Sequence, residues 1–305
     1  MPNWREILVE VNAAGSTFDV VRRKYLSDLS ALTGRNVITY YSGWLQKRDL
    51  VAPGFSGFSL DDGDKNGFMA VINGLDRKKG LDLILHTPGG SMAATESLVG
   101  YLRAMFGTNV RAVVPQLAMS AGTMVALSCQ KVLMGKQSSL GPIDPQIMGI
   151  PAHGVIEEFE RARKEILTDP RTIPLWQPII AKYHPTFIGE CEKAVTWSRQ
   201  MVREWLVDGM FQGRPDARDT ADRIIEELAD HAITLSHDRQ ISAKRARELG
   251  IEVENLEDSQ ELQDAVLTVH HASIQTLSST PAFNLIENQT GVGFIQMLTP
   301  TVLAR

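Results

Sequence analysis

Three short, mostly apolar runs, Leu81–His86, Val110–Val114 and Lys131–Met134, alternate with segments whose apolar residues recur at helical spacing. Strands without a polar face need cover on both sides, so a parallel sheet between helix layers is expected. The intervening helices fall at Met92–Phe106 and Ala121–Cys129. A chain of 305 residues, 43% apolar and 22% charged, has material for one large α/β core with appendages.

Upstream, Phe18 to Leu32 reads as a helix stopped at Gly34, and Val37–Tyr41 as a short strand. Residues 53–67, PGFSGFSLDDGDKNG, break all periodicity and read as loop. Phe68, Met69, Val71, Ile72 and Leu75 then mark a helix ending near Lys79 and Gly80. Downstream of Ser139 comes a proline-punctuated segment. Helices are expected at Val155–Leu167, Ile173–Tyr183, Ile188–Met210, Thr220–His231 and Ser242–Leu249, with an edge strand at Ile251–Val253. A last helix runs from Glu257 to about Leu277 before a sparsely patterned end. The expected division is an N-terminal extension (1–60), a core (61–255) and a C-terminal helical tail (256–305).

The net charge of -5 argues against non-specific attraction to nucleic acid or anionic lipid. The two cysteines, Cys129 and Cys191, lack CxxC spacing and read as packing residues of a cytoplasmic protein. No basic-then-apolar leader opens the sequence, and no stretch approaches the roughly 18 apolar residues of a membrane span. Histidines at ligand spacing, a GxxxxGK[ST] loop and a GxGxxG fingerprint are all missing. No metal or cofactor is therefore expected.

Two turns carry chemistry. Pro88-Gly89-Gly90 follows the first strand, and Ser120 opens a run of small residues, Ala121, Gly122 and Thr123. Glycines let backbone amides face a substrate with no side chain between. A serine hydroxyl needs such amides for the developing oxyanion, and a base for its proton. Thr123 could add a donor to the oxyanion region or serve as a small packing residue. There is no GxSxG elbow, so a lipase-type fold is not indicated.

The segments LILHTPGGSMAATESL, PQLAMSAGTMVAL and SSLGPIDPQ together resemble the Clp-fold serine proteases, in particular the serine-dehydrogenase-type proteinase family. That family is related to Clp protease subunits and signal peptide peptidase A. The similarity spans about residues 60–255, and SHDRQISAKRARELGI is similar to the closing segment of the peptidase A group. It implies a ClpP/crotonase-like spiral of ββα units, here with added N- and C-terminal helices. It also implies Ser120 as nucleophile, with the Gly90 and Ala121 amides as oxyanion hole and Gly89 supporting the turn. Peptides or unfolded proteins are the implied substrates, and a homo-oligomer (dimer, trimer-based or ring) the implied assembly.

The base is open. Where Clp proteases carry a histidine this chain reads GPIDPQ, with Ile143 and Asp144. Similarity to the peptidase A group, which uses a serine–lysine dyad, points to Lys182 in PIIAKYHPTF. Apolar neighbours would lower its pKa by desolvation. His184 competes because it needs no large shift at neutral pH, with Asp144 as orienting partner or as a stiffener of the turn. His86 and His153 are further alternatives. Two rival readings stay in view: a catalytically degenerate peptide-binding or assembly module, and a crotonase-like acyl-CoA enzyme.

Overall fold

The apolar runs become the middle of a seven-stranded sheet. The computed structural model describes residues 6–7, 9–10, 18–51, 55–229 and 239–298. Helix α1 (Phe18–Thr33) leads into β1 (Asn36–Ser42), α2 (Asp64–Ile72), β2 (Leu81–His86) and α3 (Met92–Phe106). Next come β3 (Val110–Val114), β4 (Leu117–Ala118), α4 (Ala121–Leu127), β5 (Lys131–Met134) and β6 (Ser139–Leu140). A hairpin of β7 (Gln146–Ile147) and β8 (Ile150–Pro151) opens a helical excursion, α5 (Ala152–Thr168), α6 (Ile173–Ile180) and α7 (Phe187–Trp205). The remainder is α8 (Ala217–Ala229), β9 (Ile241–Ser242), α9 (Ala243–Leu249), β10 (Val253–Asn255), α10 (Gln260–Ser279), β11 (Ala282–Asn288) and β12 (Gly293–Met297).

The sheet order is β10-β5-β3-β2-β1-β11-β12. Its first five strands are parallel, and β11 and β12 join antiparallel. All residues of β1 and β2 are buried, as a sheet covered on both faces requires. Leu81, Leu83 and Leu85 meet Phe68, Leu98 and Val125 of α2, α3 and α4 on one face. Ile84 meets Leu26 and Leu29 of α1, and Val266 and Val269 of α10, on the other. Strand alternation therefore sends His86, two residues beyond Ile84, to the α1–α10 face. The fold is thus a mixed α/β architecture with a mostly parallel central sheet.

Two expectations need correction. The sparsely patterned end contains β11 and β12, which extend the sheet beyond β1. Their period is hidden in the sequence because β11 buries Asn284, Glu287 and Asn288, whose partners lie far away along the chain. Asn288 donates to the Val71 carbonyl (2.6 Å), and Glu287 accepts from Arg22 and Arg23. The helix expected to reach Met210 is α-helical only to Trp205 and closes in a π-turn, Leu206–Met210. The expected end of α8 at His231 lies outside the described residues. Both cysteines are buried and free, and burial pushes the Cys129 thiol up to about 12. Among the described residues, no helix is long and apolar enough to cross a membrane.

Asp64, in the first turn of α2, is buried against β1 and β11. Its carboxylate accepts from Tyr40 Oη (2.8 Å), Asn284 Nδ2 (3.0 Å) and the Asp61 amide (3.2 Å). Burial outweighs these bonds and pushes its pKa up to about 6. A folded-state pKa above the unfolded one means stability is full at low pH and falls as pH rises through about 6. Asp64→Asn, with the Asn284 amide turned over, avoids burying the charge. It should raise stability at pH 7.5 by about 1–3 kcal/mol, an advantage that vanishes near pH 4. Urea melts at the two pH values check this, and an equal difference at both would refute it.

Candidate active site

The two turns singled out in the sequence meet at one cleft. Ser120 ends the connection after β4 and stands at the N-terminus of α4 with φ 50° and ψ −117°. This is a rare conformation for a residue with a side chain, and surrounding contacts must hold it. Those contacts come from the turn after β2. The Thr87 amide donates to the Leu117 carbonyl (3.1 Å), and the Met119 amide donates back to Thr87 (3.0 Å). Gly89, at φ +110°, lies so close that a Cβ there would be 2.6 Å from the Ser120 Cβ.

A second clamp holds Gly90. The Leu60 amide donates to Gly89 O (2.8 Å), and the Ser91 amide donates to Leu60 O (2.9 Å). This parallel bridge leaves the Gly90 N–H turned away from Leu60. The Ala121 N–H, at the first position of α4, has no carbonyl within its own helix to bond. Gly89, Gly90, Ser120 and Ala121 all line a cleft of about 570 Å³. Its other walls include Ser59, Met92, Met124, Ile143, Asp144, Gln146 and Trp197.

The wall carrying Asp144 is anchored from behind. The Ile143 amide donates to Leu228 O (2.9 Å), and Ser198 Oγ donates to Ile143 O (3.0 Å). Thr123 does not line the cleft: it donates to Ala118 O (2.7 Å) and accepts from the Gly141 amide (2.8 Å). It locks β4 and the Gly141 turn together. Trp197 stands on the cleft wall. Ser59 and Leu60 carry no signal in the sequence, because their partner lies about thirty residues on and binds only through backbone.

The candidate bases are placed elsewhere. Lys182 is exposed on the turn after α6, and Ile179 beside it is 40% exposed, so the desolvating environment expected for it is missing. His184 is also exposed, and its Nδ1 meets Thr186 Oγ1 (2.9 Å) at the start of α7. His153 approaches Arg199 (3.4 Å) rather than the cleft. His86 is fully buried among Tyr41, Trp44 and His270 on the opposite face of the sheet. Burial, then the neighbouring His270, hold it neutral well below its ordinary range. Among the described residues, Asp144 is the one titratable side chain lining the cleft.

A hydroxyl on a strained turn, beside backbone N–H groups at the head of a helix and a glycine turn, suits acyl-transfer chemistry. The chain belongs to the ClpP-like SDH-type serine proteinases, whose family model matches residues 7–267. It is similar to two uncharacterized proteins of Methanocaldococcus jannaschii. MJ0137 is 28% identical over 239 residues, covering 77% of this chain and 74% of that protein. MJ1495 is 30% identical over 173 residues, 57% of this chain and 51% of that protein.

Proposed function

We propose that this protein is a serine peptidase that cuts peptides or unfolded chains through an acyl-enzyme on Ser120. Ser120 Oγ attacks the scissile carbonyl carbon, and the carbonyl oxygen becomes an oxyanion that accepts hydrogen bonds from the Gly90 and Ala121 amides. The base takes the Ser120 hydroxyl proton during attack and returns it to the departing nitrogen, so collapse breaks the C–N bond, releases the amine and leaves an ester on Ser120. Water then attacks the ester and releases the acid. The observation that carries this reading is the meeting of Ser120, Gly90 and Ala121 at one cleft. The peptidase core is taken as residues 61–255, a spiral of ββα units flanked by 1–60 and 256–305, which add strands to its sheet.

The proton acceptor is a separate question. We take Lys182 as the acceptor and His184 as its competitor; neither lines the cleft, so either would serve Ser120 through movement of their turn or from the same turn of a second subunit. The absence of a basic side chain among the described cleft residues favours one rival reading, a degenerate peptide-binding module. Fluorophosphonate labelling read by intact mass separates the two. The wild type should gain one adduct, Ser120→Ala none, and Lys182→Ala an adduct at a rate at least about 100-fold lower. A wild type that never labels leaves the binding-module reading. Unchanged labelling of Lys182→Ala with loss in His184→Ala moves the base to the histidine.

A further inference from the structure

We propose that Asp64 is a positioning residue for the oxyanion hole, acting through the Phe58–Asp61 strip that clamps Gly90. This rests on the peptidase reading of the cleft. The strip touches Gly90 through backbone alone: Leu60 donates to Gly89 O and accepts from Ser91 N, and Ser59 lines the cleft. Backbone pairing of one residue with one residue has little rigidity of its own. Its stiffness has to come from what holds the strip behind.

Beside the burial of the Phe58 and Leu60 side chains, two polar anchors tie it to the central sheet. Ser42 Oγ, at the end of β1, donates to Phe58 O (2.8 Å). Asp64 Oδ2 accepts the Asp61 amide (3.2 Å), next to Leu60, and also the Tyr40 hydroxyl (2.8 Å). Asp64 Oδ1 accepts from Asn284 on β11 (3.0 Å). One carboxylate thus joins β1, β11 and the strip. Without it, only side-chain packing and the Ser42 bond hold the strip, so the Leu60 backbone can shift by a few tenths of an ångström, and the Gly90 N–H shifts with it. Oxyanion donors act only within a few tenths of an ångström of their productive place, so such a shift slows acylation without closing the cleft to ligand. A buried carboxylate whose pKa is raised is costly to keep, and none of these three partners is a cation.

The test is labelling of the full chain with a fluorophosphonate probe, resolved into the maximal rate and the half-saturating concentration. Asp64→Ala should lower the maximal rate at least about tenfold and leave half-saturation within about twofold. Asp64→Asn restores the rate to within about threefold, because its oxygen accepts from Tyr40 and Asp61 while its amide donates to a turned Asn284. Leu29→Ala, in the core on the far face, serves as the destabilised control and should label normally. If Asp64→Ala does not fold, Tyr40→Phe, which removes a single bond, should slow labelling about threefold or more. Labelling of Asp64→Ala at the wild-type rate overturns the proposal, as does equal slowing of Leu29→Ala or failure of Asp64→Asn to recover. In those cases the wild type still labels at Ser120. A wild type that does not label overturns the peptidase reading and this proposal with it.

Discussion

Under the proposed peptidase reading, Gly90→Ala should lower the acylation rate of Ser120 by about 10²–10³-fold, the cost of losing one oxyanion donor. A Cβ at this position would lie 2.2 Å from the Leu60 oxygen and 2.4 Å from its nitrogen. Both contacts are backbone, so no side chain can swing aside. The strip must separate from the turn, and that breaks the bonds Leu60 makes to Gly89 and Ser91. The Gly90 N–H then loses the direction that the bridge imposed. A control sits nearby in α3. Gly100 is exposed, and a methyl added there would have nothing within 4 Å, so Gly100→Ala should be neutral or stabilise by up to about 1 kcal/mol. Labelling rates and thermal melts of the two variants check the contrast. Normal acylation in a folded Gly90→Ala would remove Gly90 from the oxyanion hole.

Arg22→Ala is expected to cost about 3–5 kcal/mol of stability, the largest loss foreseen for any single charged residue here. Arg22 in α1 and Glu287 in β11 are both fully buried and bonded to each other. Arg22 also donates to Thr276 Oγ1 of α10 (2.7 Å) and to Asp19 (2.7 Å). Among the described residues, truncation leaves Glu287 buried with only Arg23, at 3.1 Å and partly exposed, to balance it. Replacing both partners together, as Arg22→Met with Glu287→Leu, should recover most of the loss, since no buried charge remains unpaired. Equilibrium urea unfolding measures both. A cost under about 1 kcal/mol for the single variant would show that the pair is not what holds α1 and α10 to β11.

Local patterns make much of this legible in advance. β1, β2, β3 and β5 are runs of mostly buried residues, and burial on both faces leaves a composition that reads as strand without knowledge of neighbours. Ser242 reads as the cap of a short helix from its own neighbours, and it accepts the Arg245 amide (3.3 Å). The strand β11 escapes the same reading because its polar residues are satisfied by α1 and α2, over 200 residues away. In the cleft, Ser120, Gly89, Gly90, Ala121 and Asp144 each stand out in the sequence and do come together. Lys182 owes its prominence there to the resemblance to the peptidase A group, with apolar neighbours along the chain as the expected desolvating setting. Those neighbours sit at an exposed helix end, and burial is a property of the whole packing.

Residue order alone therefore determined the inner parallel strands and most of the helices, and which two turns have the backbone freedom to bare their amides, because those properties depend on a few neighbours. Tertiary structure decided which turn meets which. It closed the Leu60 strip over Gly90, put His86 behind the sheet, carried Lys182 and His184 out to the surface, and drew Asp64 inward between β1 and β11. Each of these follows from contacts between residues distant in sequence, whose energy exists only once the sheet has assembled.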